Sequence, residues 1–391
     1  MRLRLALVIL AGVAIAGATT PARQRWAQSP APTSTAPRPH GSADLLQPTG
    51  GRGLTEVQGI KVGHYTLTER PTGCTVILVD GQGAPGGVSQ RGGAPGTRET
   101  DLLDPLNMVD KVNAVVLSGG SAYGLNAASG TVRWLEERKV GWPVGASGVV
   151  PIVPSAILFD LAFGGKPSVR PDADCGYKAA DAASYAPVGE GNVGAGAGAT
   201  VGKMGGIVEH AGYPAGRRGP MKGGVGSYAI TLPNGLVVAA IVAVNAAGDI
   251  IDPETGRIVA GARTEDGKGL ADVRKMLRGG RVTETPRPGE NTTIGLVATN
   301  ARLSKTDVNR MALMADDGFA RAIYPAHTPG DGDTVFALAT GRWQGEVPVA
   351  LVGALAADAM AEAIVRAVSK AESLGGVPSA KELGTVPARI K

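Results

Sequence analysis

The chain has 391 residues, 43% of them hydrophobic, 19% charged and 4% aromatic, with a formal net charge of +5. That is enough chain for a large core or two domains, and its 59 glycines, spread through apolar sequence rather than set in repeats, exclude a collagen-like or low-complexity chain. The mild positive charge carries no dense basic block, and aromatic stacking platforms are scarce, so nucleic acid is excluded as the expected partner.

Met1-Arg2-Leu3-Arg4 is a short positive start, Leu5 to Ala16 an apolar run, and Gly17-Ala18-Thr19 a stretch of small residues. This is the pattern of a secretory signal over residues 1–19, too short for a comfortable membrane span. An uncleaved anchor is the alternative. No cysteine follows the apolar run, which excludes a lipoprotein. Residues 20–50, rich in Pro, Ser, Thr and Ala, read as a flexible tether. Export places the protein in the periplasm or outside the cell. Cys74 and Cys175 allow one disulfide in such a compartment, or two separate buried thiols.

Residues 51–391 read as one domain without linker or repeat. Residues 75–79 predict a strand, and residues 83–96 a glycine-rich loop. Residues 114–117 are a buried strand that passes through Ser118-Gly119-Gly120 into a helix over 122–138. Residues 228–232 and 236–244 predict a hairpin turned by Pro233-Asn234-Gly235. Residues 292–299 predict a strand. Ser304 and Asp307 form a capping box, opening a helix with Val308, Met311, Ala315, Phe319 and Ile323 on one face. Residues 334–340 are the next strand, and residues 350–373 a long alanine-rich helix stopped by Gly375-Gly376. Mixed elements with several antiparallel cues predict an α/β class of layered sheets flanked by helices.

The chemistry concentrates late in the chain. Thr292 stands at the mouth of the β-branched run Thr293-Ile294-Gly295-Leu296-Val297 and some forty residues before the acidic turn Asp331-Gly332-Asp333. An internal threonine is a poor nucleophile. A chain-terminal one is a good nucleophile, because its own α-amine, with a reference pKa of roughly 8, acts as base. Cleavage between Asn291 and Thr292 therefore creates an N-terminal nucleophile. An aspartate beside the new ammonium holds and orients it, a role open to Asp331 and Asp333. Asn245 ends an apolar strand and offers an oxyanion donor, or is a strand-end turn residue.

The stretch Gly191 to Lys203 contains a G-x-G-x-x-A match at Gly194, Gly196 and Ala199, but no strand precedes it, and Gly198, Gly202 and Lys203 miss phosphate-loop spacing. It reads better as a glycine-lined wall presenting Lys203. A rival nucleophile is Ser121, followed in triad order by Asp249 and His327, although Gly119-Gly120-Ser121-Ala122-Tyr123-Gly124 is one residue too long for a nucleophile elbow. The simpler reading of Ser121 is a helix cap. His40, His64, His210 and His327 show no metal-ligand spacing, and His327 alone lies near the acidic turn.

Seven stretches in a fixed order resemble the DmpA-type aminopeptidase family, which includes β-aminopeptidases and nylon-oligomer hydrolases. They are Gly119 to Leu125, Val150 to Pro154, Gly191 to Lys203, Lys222 to Ser227, Val242 to Asn245, Asn291 to Thr299, and Asp331 to Thr334. The resemblance implies a four-layer α/β/β/α sandwich, cut between Asn291 and Thr292 into an α chain and a shorter β chain that stay associated. It implies Thr292 as nucleophile, Asp331 and Asp333 as the pair that positions it, Lys203 as a lysine near it, and Asn245 as support for the oxyanion. It also implies amide or ester substrates such as small peptides, assemblies of several αβ units, and chemistry that needs no metal or organic cofactor. Two departures stand out. Phe159 occupies the place where some members carry a tyrosine, and residues 207–219 form a longer stretch than in several members. An uncut binding or scaffold protein and an acyltransferase of related architecture remain the alternatives.

Overall fold

The computed structural model describes residues 51–205, 219–280 and 291–390. The expected signal and tether, His210 and nearly all of the long 207–219 stretch lie outside these residues. Two sheets carry the architecture. Strands Ile60–Thr66, Gly73–Val79, Ala114–Ser118, Ser155–Ile157 and Thr97–Arg98 form a five-stranded sheet in that spatial order. Strands Gly224–Thr231, Val237–Asn245, Thr292–Thr299, Thr334–Ala339, Ala84–Gln90 and Lys111–Val112 form a six-stranded one, again in spatial order.

The strand Val237–Asn245 is buried at every residue, as expected where both faces of a sheet are covered. Its apolar residues divide with the period of two that a strand imposes. Val238, Ala240, Val242 and Val244 enter one core, with residues of the helices Lys305–Ala315, Asp317–Ala322 and Val349–Lys370. Val237, Ala239, Ile241 and Ala243 enter another, where Ile77, Val115 and Leu117 of the five-stranded sheet meet Leu296, Phe336 and Leu338 of the six-stranded one. A third core packs the outer face of the five-stranded sheet against helices Ala127–Glu137 and Ala173–Asp181. The layers run helix, sheet, sheet, helix, the four-layer sandwich expected from the sequence. A disulfide between Cys74, on a strand of the five-stranded sheet, and Cys175, on the helix above it, ties two of these layers together.

Much of the glycine serves close approach between layers. A Cβ on Gly130 would sit 1.6 Å from the Ala173 carbonyl oxygen, and one on Gly226 2.0 Å from that of Ala363. The same cause corrects the expected loop at 83–96. Its first half is the strand Ala84–Gln90, antiparallel to Thr334–Ala339, and its Gly87 admits the backbone of Asn309 at 2.7 Å from where a Cβ would lie. Three helix boundaries also differ. The expected helix 122–138 begins as a 3-10 turn, Ser121–Asn126, and becomes α-helical at Ala127. The N-cap is Gly120, so Ser121 is the first residue of the turn and not its cap. The helix after Ser304 breaks at Asp316 into two. The long C-terminal helix ends at Lys370, where Ala371 turns extended, before the two glycines are reached.

The order of the central strands decides what meets Thr292. Val237–Asn245 runs antiparallel to Thr292–Thr299, so its last residue, Asn245, lies opposite Thr292. Thr334–Ala339 runs parallel to Thr292–Thr299 after a crossover through two helices. Parallel neighbours begin at the same end of a sheet, which brings the acidic turn before Thr334 beside Thr292.

Candidate active site

Thr292 is 2% exposed at the start of its strand. Its hydroxyl donates a hydrogen bond to the carbonyl oxygen of Asn291. The same oxygen accepts the backbone N–H of Gly332 at 3.0 Å. The scissile carbonyl expected from the sequence is thus held by a backbone donor and lies against the hydroxyl that would attack it. Position 332 must be glycine for this to fit: a Cβ there would sit 2.8 Å from the Thr292 Oγ1 and 2.7 Å from the Ala94 carbonyl oxygen. Both polar atoms of the Asn291 carboxamide are buried without a hydrogen-bond partner among the described residues.

Asp331 and Asp333 are each 3% exposed and occupy different places. Asp333 Oδ1 accepts the backbone N–H of Thr293 at 2.8 Å, and its Oδ2 accepts the backbone N–H of His327 at 3.1 Å. It therefore clamps the nucleophile strand from below. Asp331 Oδ2 accepts the Thr328 N–H at 2.7 Å. Burial, and then the charge of Asp333, push the Asp331 carboxyl up to about 6, against the Thr328 hydrogen bonds and the charge of Lys203.

On the other side of Thr292, Asn245 is an organiser. Its Oδ1 accepts from Thr200 N–H at 3.0 Å and from Lys203 Nζ at 2.9 Å, and Lys203 also reaches the Asn245 carbonyl at 3.0 Å. Its Nδ2 donates to the Phe159 carbonyl at 2.9 Å. In the uncut chain this Nδ2 holds the Phe159 backbone, while Gly332 N–H serves the Asn291 carbonyl. The Phe159 ring brings no donor of its own, and the residue acts here through its backbone.

Several supporting groups have no role that their residue type announces. Lys222 is wholly buried, and its ammonium donates to the carbonyls of Ala197 and Ala199, at 3.0 and 2.7 Å. It pins the glycine-lined wall that presents Thr200 and Lys203. Burial pushes it down to about 7, opposed by the charge of Asp160 and reinforced by that of Lys203. Asp160, next to Phe159, forms a fully buried ion pair with Arg70 at 2.9 Å and accepts from Thr72 and from Gly120 N–H. Asp160→Asn would leave the Arg70 guanidinium buried without its counter-charge. The expected cost is about 3–5 kcal/mol, read as a lowered denaturant midpoint.

The triad read through Ser121 is not assembled. Asp249 spends its oxygens on the N–H groups of Ala262 and Val273, and His327 lies against Asp333 and Asp316. His64 is half-buried, bonded to Thr75, and pushed down to about 4 by desolvation. Among the described residues no cluster of His, Cys, Asp or Glu is arranged to hold a metal ion.

Comparison with known proteins gives the family. The family description Peptidase family S58 matches residues 52–381. An uncharacterised aminopeptidase of Mycobacterium leprae is 45% identical over 354 residues, covering 83% of this chain and 92% of the relative. A 6-aminohexanoate-oligomer endohydrolase of Paenarthrobacter ureafaciens is 30% identical over 328 residues, 79% of this chain and 84% of the relative. Among solved structures, the L-aminopeptidase D-Ala-esterase/amidase of Ochrobactrum anthropi superposes with a TM-score of 0.63 at 20% identity, covering 88% of this chain and 98% of the other. That structure is described as a new variant among the Ntn hydrolase fold. A Burkholderia sp. β-aminopeptidase superposes with a TM-score of 0.61 at 22% identity, covering 88% and 94%. The chain belongs to peptidase family S58 and is an aminopeptidase-type hydrolase of peptide bonds.

Proposed function

We propose that this hydrolase matures by cutting itself before Thr292 and then uses Thr292 as an N-terminal nucleophile. The observation that carries the proposal is the pairing at Asn291: its carbonyl oxygen takes hydrogen bonds from the Thr292 hydroxyl and from Gly332 N–H. In maturation, Thr292 Oγ1 attacks the Asn291 carbonyl carbon. The C–N bond breaks as an ester forms, the threonine nitrogen takes the proton, and Gly332 N–H stabilises the oxyanion. Water then cleaves the ester, leaving the Asn291 carboxylate and a free Thr292 amine. Relief at Asn291 favours this course, because a buried carboxamide without partners costs about 1–3 kcal/mol.

In turnover the freed amine takes the hydroxyl proton and passes it to the leaving group. Asn245 supports the substrate oxyanion, Lys203 holds Asn245 in place, and water clears the acyl-enzyme. Asp331 and Asp333 orient the amine. Substrates are the amides of small peptides or ω-amino acid oligomers, with esters as a second class; the relative acting on 6-aminohexanoate oligomers supports this breadth. The Cys74–Cys175 disulfide supports an oxidising compartment, in line with export.

Intact mass under denaturing conditions, with N-terminal sequencing, tests the proposal. The expected result is a C-terminal fragment running from Thr292 to Lys391 and beginning Thr-Thr-Ile-Gly. A single chain, stable over days, would overturn self-processing and leave an uncut hydrolase or binding protein.

A further inference from the structure

His327 reaches the nucleophile only through Asp333, and it sits between two buried carboxylates. Its Nδ1 lies 3.0 Å from Asp333 Oδ2, and its Nε2 3.5 Å from Asp316 Oδ1. Ionised carboxylates only accept hydrogen bonds, so a neutral imidazole would turn one lone pair toward a carboxylate. Only the imidazolium turns an N–H toward both, as a hydrogen bond to Asp333 and as a longer ion pair with Asp316. Asp316 is fully buried where the helices Lys305–Ala315 and Asp317–Ala322 meet. Its other oxygen accepts from Ser89 Oγ at 2.7 Å and faces Arg91 Nε at 3.3 Å, while Oδ1 has no hydrogen bond. The His327 backbone is left-handed, with φ of 56°, and its ring stacks on Phe319 at 5.7 Å between centroids. The ring is therefore fixed from three directions.

We propose that His327 is a positioning residue: as an imidazolium clamped between Asp333 and Asp316, it carries the counter-charge of Asp333, so that the Thr292 amine keeps its free-base form near neutral pH. This rests on the self-processing reading above. Without His327, Asp333 would draw its counter-charge from the new ammonium, which lies one residue from the Thr293 N–H that Asp333 already holds. An amine so paired gains a proton and loses its use as base. The charged groups facing the ring are Asp333, Asp316 and Arg91, with Asp331 beyond Asp333 and Lys203 acting on Asp331. The balance agrees with the geometry. Burial opposes the imidazolium, but the hydrogen bond and charge of Asp333 and the charge of Asp316 outweigh it and raise the ring above its ordinary value. Asp316, pushed up to about 6 chiefly by burial, is still ionised at neutral pH.

Two readouts test this. In the pH profile of kcat/KM, the acid limb reports the amine. His327→Gln keeps a donor to Asp333 but removes the positive charge, so the limb is expected to move to higher pH by roughly one unit. In the uncut Thr292→Ala chain, proton NMR of the imidazole, assigned by its loss in His327→Gln, is expected to titrate above the usual histidine value. Asp316→Asn is expected to bring that titration down. An unchanged acid limb in a His327→Gln enzyme that begins at Thr292, or an imidazole titrating at or below the ordinary value, overturns the inference and leaves the nucleophile assignment standing. Should His327→Gln fail to fold, the resonance is assigned instead by removing His40, His64 and His210, and the titration and its response to Asp316→Asn decide alone. Wild-type protein that never begins at Thr292 overturns both.

Discussion

Thr292→Ala is expected to leave one uncut polypeptide with no measurable amide hydrolysis, a loss of at least ~10⁴-fold. On the proposed reading, the substitution removes the group that, among the described residues, is placed to attack the Asn291 carbonyl, and with it the route by which an α-amine is uncovered at position 292. Folding should survive it. The side chain is almost fully buried, its hydroxyl bonds only to the neighbouring carbonyl, and the strand keeps its ladder to Val237–Asn245 on one side and Thr334–Ala339 on the other. Thr292→Ser keeps the hydroxyl and is expected to cut and turn over, more slowly because serine is less restrained at χ1. Denaturing mass spectra of both variants after several days at neutral pH make the comparison. Cutting in Thr292→Ala at the wild-type rate would place the nucleophile elsewhere.

How much of this site could be read from the sequence depended on whether one element or two had to be known. The strand Thr292–Thr299 matches its sequence boundaries because an unbroken β-branched and apolar run leaves few other solutions. Its meaning as a site required the acidic turn to fold back beside it. That follows from the strand–helix–strand pattern between Thr299 and Thr334, since such a crossover normally returns a parallel neighbour. The hairpin turned at Pro233-Asn234-Gly235 put Asn245 at the end of its strand, but its place opposite Thr292 comes from the separate pairing of that strand with Thr292–Thr299.

What remained hidden were residues whose partners come from a third element. His327 looks like a loop histidine until the helix break at Asp316 sets a carboxylate against its far nitrogen. Lys222 heads one of the seven stretches without an expected role; burial of an ammonium is rare, and the carbonyls of Ala197 and Ala199 are what hold it there. Gly332 looks like a turn residue, yet its N–H holds the Asn291 carbonyl. Backbone donors have no letter in the sequence. The strand Ala84–Gln90 was masked by its own glycines, which propensity assigns to loops and which here make room for the helix Lys305–Ala315.

Loss of the Cys74–Cys175 disulfide is expected to lower stability by about 4–5 kcal/mol, since the closed loop spans 101 residues and constrains the unfolded chain accordingly. The bond anchors helix Ala173–Asp181 to the outer face of the five-stranded sheet, and both cysteines belong to a core that also holds Val76, Val116, Ala127 and Ala179. Replacing the pair with alanines keeps that core apolar, so the loss should be mainly one of cross-linking, with a small packing cost. The site lies in another layer, on the six-stranded sheet, so the variant is expected to mature and to turn over substrate when folded, but to unfold at lower denaturant and lower temperature. Both cysteines precede Asn291, which puts the whole cross-link within the α chain. Reductant is therefore not needed to separate the fragment that begins at Thr292, and non-reducing and reducing mass spectra should show the same cut, with only the larger fragment gaining the mass of two hydrogens. A reduced variant as stable as wild type would mean that the contacts of the helix with the sheet already fix its position without the bond.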